Sequence, residues 1–267
     1  MSIALLLGTL IGITLGLTGA GGGILAVPAL VVGLNFPMTQ ATPIALIAVG
    51  AAALIGALAG LRQGIVRYKA ALLMAVVGSA ASPAGRWIAL QLSGEVLTVV
   101  FSAVMILVAY RMYCQARASS DEASDDLIPK NCQLSQVTGK FVWNLRTAIT
   151  LSVIGLVSGL FTGMLGVGGG FVIVPALRHY SNASIHTIVA TSLMVIALIS
   201  ATTVVGALSN GVDIGSLGLA FVGAVMAGML VGRVASPHVP AKRLQQGFAA
   251  ISVLVAALLL AKTFLAS

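Results

Sequence analysis

Two glycine clusters hold the chemistry this chain could perform: Gly19, Gly21, Gly22 and Gly23, and again Gly166, Gly168, Gly169 and Gly170. A Val-Pro-Ala-Leu string follows each, containing Pro28 in one case and Pro175 in the other. Glycine is a poor residue for an uninterrupted helix, so each cluster lets the backbone leave helical geometry and frees its N–H groups. Inside a bilayer such groups need partners, and broken backbone is tolerated only where it packs on protein or lines a polar cavity. Half-helices starting at Ile24 and Phe171 would aim free N–H groups and positive dipole ends at one point. That arrangement suits a small oxyanion held between two sets of backbone donors, with Pro28 and Pro175 shaping the cavity. The competing reading is close helix packing alone. Neither cluster is a phosphate-binding P-loop, because no Gly-Lys-Ser/Thr follows.

Few side chains could assist. Thr42 stands early in the span after the first cluster, and Thr191 with Ser192 in the span after the second. Their hydroxyls could donate to an anion or bond back to the preceding helical turn. Arg86 and Arg233 each follow a glycine near the end of an apolar span. They read either as attractors at a cavity mouth or as side chains snorkelling to the interface. Glu95 and Asp213 lie only at span ends, so no intramembrane carboxylate relay is visible. His179 and His186 lack a third ligand, so no metal site is expected. Cys114 and Cys132 are too few for a disulfide framework. Ser158 has no span histidine to activate it, which argues against an intramembrane enzyme, and no cofactor is implied.

The elements that must position these residues are membrane helices. Of 267 residues, 59% are hydrophobic and only 7% charged, against about 25% charged in soluble domains. Mean hydropathy is +1.10. Apolar segments fall near 2–17, 24–34, 40–61, 70–91, 95–112, 147–163, 171–177, 187–208, 214–235 and 244–265. Several reach the roughly 20 residues that a span needs, and the pieces flanking each glycine cluster are shorter. No basic region precedes the first segment, so a removable signal peptide is not expected. The polar stretch 115–145 separates a first membrane repeat, 1–114, from a second, 146–267.

A shift of 147 residues lays Gly19 on Gly166, Pro28 on Pro175, Gly85-Arg86 on Gly232-Arg233, and Phe101 on Phe248. Thr42 meets Thr191 at a shift of 149, implying a local two-residue insertion. The halves are thus homologous. If each glycine-broken segment is a hairpin, each half adds three full crossings and the repeats are inverted. Arg62, Arg67, Lys69, Arg111, Arg117, Lys130, Lys140, Arg146, Arg178, Arg233, Lys242 and Arg243 then share one face, leaving Arg86 and Lys262 on the other. The positive-inside rule favours this over four spans per parallel half, with the basic face cytoplasmic. The net charge of +8 is therefore topological, and nucleic acid is not an expected partner. The expected fold is an all-α polytopic membrane protein.

The paired Gly-x-Gly-Gly-Gly and Val-Pro-Ala-Leu elements, with Ala190-Thr191-Ser192-Leu193, Gly85-Arg86 and Gly232-Arg233, resemble the TauE/SafE family of membrane permeases. The resemblance covers nearly the whole chain outside the linker. It implies a multi-pass inner-membrane permease for a small sulfur-containing anion, sulfite or an organosulfonate, working by alternating access. It also implies a site at Gly19 to Gly23, Thr42, Gly166 to Gly170, Thr191 and Ser192. Pro43 stands where a serine would be more usual, so the halves would contribute unequally. A passive anion channel and a non-transporting assembly factor remain the alternatives. Proton coupling and a homodimer are both left open.

Overall fold

The computed structural model describes residues 1–19, 22–118, 132, 143–208, 215–235 and 241–266. In chain order its helices are α1 (Ser2–Thr18), the irregular α2 (Gly22–Gly33), α3 (Met38–Arg62), α4 (Tyr68–Gln91) and α5 (Gly94–Ala118). The second half repeats the series as α6 (Leu145–Leu165), α7 (Gly170–Tyr180), α8 (Ile185–Leu208), α9 (Gly215–Ala235) and α10 (Ala241–Ala266). Six of these, α3 to α6 with α8 and α9, are long and apolar enough to cross a membrane. Large apolar side chains such as Leu6, Leu10, Leu72, Trp87 and Leu254 are exposed. On a soluble protein such a surface would aggregate, whereas in lipid it is the expected exterior.

The core is built on α3 and α8, 61% and 56% buried over their most apolar windows, against 33% for α4. Small residues make this possible. Ala45, Ala48, Ala52, Ala53 and Ala57 of α3 are all fully buried. The two helices run antiparallel, with Gly50 beside Ser200, Gly56 beside Leu193, and Gly60 beside Ala190.

Helix pairing repeats across the halves. α1 runs parallel to α9, with Gly8, Gly12 and Gly16 against Ala224, Gly228 and Gly232. α6 runs parallel to α4, with Gly155, Gly159 and Gly163 against Met74, Gly78 and Ser82. Glycine at every fourth position puts bare backbone on one helix face, which lets backbones touch without a hydrophobic driving force. α4 also runs parallel to α8: Ser82 Oγ and Thr203 Oγ1 share a 2.7 Å hydrogen bond, and Thr202 Oγ1 donates to Ser79 Oγ at 2.9 Å.

The glycine-broken segments differ between the halves. α2 turns back along α1, with Gly22 against Leu15 and Gly33 against Leu7. It winds as a 3₁₀ turn, a short α-helical piece through Pro28, and a π-helical stretch over 29–33. Proline lacks an N–H and crowds the carbonyl four residues back, so the wider turn begins where Pro28 ends. α7 carries Pro175 within a regular helix.

Most of the polar linker lies outside the described residues. Cys132 is buried, and its N–H donates to Tyr180 O at 2.9 Å. Burial pushes its thiol above the ordinary range, so the reactive thiolate is scarce, while Cys114 is exposed. N-ethylmaleimide should label Cys114 of the native protein about tenfold faster than Cys132 or more. Mass spectrometry reads the two sites separately, and equal native rates would refute the burial of Cys132.

Candidate functional site

The second glycine cluster forms an open break. α6 ends on Gly166, which is left-handed (φ 71°) and donates its N–H to Thr162 O at 2.9 Å. Gly168 (φ 74°) and Gly169 (φ 65°) are also left-handed, and α7 begins at Gly170. This conformation is routine only for glycine. Among the described residues, no protein group accepts from the N–H groups of Gly168, Gly169, Gly170 or Phe171. All four residues are buried. A helix N-terminus in this condition is a ready anion site.

At the first cluster one N–H is taken up within the protein. Gly21 lies outside the described residues. Gly19 is left-handed (φ 81°) and packs on Val189. Gly22 donates its N–H to Thr18 Oγ1 at 3.0 Å, and that hydroxyl in turn donates to Thr14 O at 2.7 Å. A methyl on Gly22 would stand 2.6 Å from Leu15 Cα, so this glycine also serves close packing. Gly23 lies against Val49, 2.9 Å from where its own Cβ would be.

The hydroxyls singled out in the sequence are engaged locally. Thr42 Oγ1 donates to Met38 O at 2.8 Å, and Ser192 Oγ to Val189 O at 2.8 Å. Thr191 Oγ1 accepts the N–H of Arg67 at 3.1 Å, tying the start of α4 to α8. The expected pairing of Thr42 with Thr191 is not the structural one. Thr42 packs on Gly166 as Val189 packs on Gly19, and α3 and α8 start at Met38 and Ile185. The register therefore stays at 147, with no insertion.

Arg86 Nη1 donates to Gly206 O and Arg233 Nη1 to Gly56 O, each at 2.8 Å. Both arginines thus cross from one half to the other and grip a helix carbonyl. Neither lines the main cavity, a space of about 420 Å³ between α5 and α7. Thr18, Gly170 and Pro175 border it, together with Arg111, His179, Phe161 and Phe171. Pro175 borders this cavity, whereas Pro28 is buried away from it. His179 packs edge-on against Tyr180. No metal-holding cluster is found among the described residues.

Sequence reasoning missed two further groups. Ser158 Oγ on α6 and Ser200 Oγ on α8 are buried without a hydrogen-bond partner. They abut Gly169 and Gly168 respectively. The signal for both lay in the repeat, since the first half carries Ile11 and Ala53 at these places.

A helical bundle with six helices long and apolar enough to span defines a multi-pass membrane protein. Residues 4–259 match the family model described as Sulfite exporter TauE/SafE, and the chain belongs to that family. A "Probable membrane transporter protein" of Xylella fastidiosa (strain 9a5c) is 31% identical over 191 residues, covering 71% of this chain and 67% of the relative. The "Probable membrane transporter protein YunE" of Bacillus subtilis (strain 168) is 24% identical over 216 residues, covering 78% of each chain. No solved structure is significantly similar.

Proposed function

We propose that the protein carries a small sulfur-containing anion, sulfite or an organosulfonate, across the inner membrane by alternating access. The observation that supports this best is the set of buried N–H donors at the start of α7, for which the described residues offer no acceptor. Buried donors without acceptors are costly, and an anion is the ligand class that a helix N-terminus attracts. Membership of a sulfite-exporter family points the choice of anion toward sulfur. The candidate residues remain those at the two breaks, Gly19 to Gly23 and Gly166 to Gly170, with Thr42, Thr191 and Ser192 beside them.

The repeats are inverted in this reading. α2 returns along α1, so α3 begins at the end where α1 begins. α3 runs against α8, and α4 and α6 run with α8. α1 and its counterpart α6 then point in opposite directions, related by an axis in the membrane plane, as in many secondary transporters. Arg67, Arg111, Arg146, Arg178 and Arg233 gather on one side, which is the cytoplasmic one by the positive-inside rule. The coupling ion in this reading is the proton, travelling on the weak-acid substrate in the absence of an intramembrane carboxylate.

Sulfite uptake into proteoliposomes under an imposed pH gradient tests the proposal. Accumulation that collapses when the gradient is dissipated is the expected result. Flux indifferent to the gradient would make the protein a passive channel. Absence of flux with sulfite, methanesulfonate and thiosulfate, from folded protein, would refute the substrate class.

A further inference from the structure

The two breaks are related by sequence but not by polar equipment, and the difference is one-sided. In the second half Ser158, Thr162 and Ser200 surround Gly168 and Gly169. Their counterparts 147 residues earlier are Ile11, Leu15 and Ala53, which have no polar side-chain atoms. The first break instead has Thr18, where the second has Leu165, and Thr18 takes up the N–H of Gly22. The first break therefore has one N–H taken up by its own side chain. Among the described residues, the N–H groups of Gly168 to Phe171 have no acceptor.

Ser158 and Ser200 strengthen that asymmetry. They are 0% and 1% exposed, and neither hydroxyl has a partner. Other serine and threonine hydroxyls near them are occupied. Thr162 Oγ1 donates to Ser158 O at 2.7 Å, and Thr203 Oγ1 to Ile199 O at 2.7 Å. A Cβ on Gly168 would lie 3.7 Å from Ser200 Oγ, and one on Gly169 would collide with Ser158 Oγ. The two hydroxyls thus approach the open break from opposite helices, α8 and α6. Buried polar groups left without partners call for an explanation. Backbone donors gathered at a helix N-terminus, beside hydroxyls free to donate, suit an acceptor with several lone pairs.

We propose that the protein has a single, asymmetric anion site in the second half, where the N–H groups of Gly168 to Phe171 and the hydroxyls of Ser158 and Ser200 together coordinate a dehydrated sulfur oxyanion. This rests on the anion-transporter reading and alters it in one respect. The first break is a rigid packing partner, whereas the second is the binding element. The cavity between α5 and α7 is bordered by Gly170 and Phe171, the first residues of α7, and also by Arg111 and His179.

The test is sulfite binding to purified protein in nanodiscs, measured by calorimetry and by the thermal shift sulfite produces. The variants are Ser200→Ala, Ser158→Ala and, as a control, Ser252→Ala. Ser252 Oγ is equally buried and unpartnered but sits on α10. Removing an unpartnered hydroxyl leaves no orphaned group, so all three variants are expected to fold. Loss of a hydrogen bond to a charged ligand corresponds to about tenfold weaker affinity or more. Ser200→Ala and Ser158→Ala should show that loss and a correspondingly smaller thermal shift, while Ser252→Ala matches wild type. Wild-type affinity in both site variants would overturn the one-sided site and leave the transporter reading standing. No binding of sulfite, methanesulfonate or thiosulfate by the wild type would overturn both.

Discussion

Gly159→Leu is expected to leave little folded protein. A Cβ there would already stand 2.5 Å from Gly78 Cα and its carbonyl carbon, all of it backbone that cannot rotate aside. Overpacking a core costs about 1–3 kcal/mol where side chains can yield, so separating α4 from α6 should exceed about 3 kcal/mol. The same substitution at Gly223 on α9 meets nothing within 4 Å. There a better helix former replaces glycine, and a gain of about 1 kcal/mol is expected. Thermal melts of detergent-solubilised protein give both signs in one experiment. A stable Gly159→Leu protein would mean that α4 and α6 do not touch through their backbones.

Gly169→Ala should be the second most damaging change, through two separable costs. Its left-handed φ of 65° penalises any Cβ by about 1–2 kcal/mol. Its Cβ would also stand 2.6 Å from Ser158 O and 2.9 Å from Thr162 Oγ1, adding an overpacking cost of about 1–3 kcal/mol. Gly64 isolates the first cost, having φ 69° and open space around it. Gly64→Ala should lower stability by about 1 kcal/mol and Gly169→Ala by about 3 kcal/mol. Equal losses would show that the second break yields easily, which would remove the reason for its glycine.

These results bear on how the glycine clusters should be read. Packing and anion binding are not exclusive at the breaks, because Gly22 and Gly169 each lie against a neighbouring helix. Alanine at either would confuse a folding defect with a binding defect. The serine variants avoid this, since they remove an atom and add none.

Much of the fold was legible because hydropathy and repetition are one-dimensional signals. Apolar segments from 40, 70, 147 and 187 became α3, α4, α6 and α8 with ends shifted by a few residues. The break at Gly166 to Gly170 was legible because only glycine takes three left-handed positions cheaply. The glycine stripes of α1 and α6, at every fourth residue, stand in the sequence but were not read there as helix contacts. Less legible was what each polar side chain would meet. Thr191 reads as a site hydroxyl or one bonded back to its own helix, and the structure instead starts α4 against it, where it accepts the Arg67 N–H. Arg86 and Arg233 read as mouth attractors or as snorkelling charges, and neither reading foresaw their guanidinium groups on Gly206 O and Gly56 O, across the repeat boundary.

The sequence by itself determined that this is a duplicated, all-helical membrane protein broken twice by glycine. Lipid imposes those features residue by residue, through the cost of exposed charge and of unpaired backbone. The tertiary structure alone decided what the polar side chains beside each break meet. Thr18 reaches Gly22 in one half, while Ser158 and Ser200 stop short of any partner in the other. Distances between helices, set by packing small residues from both halves, are not written in either half alone.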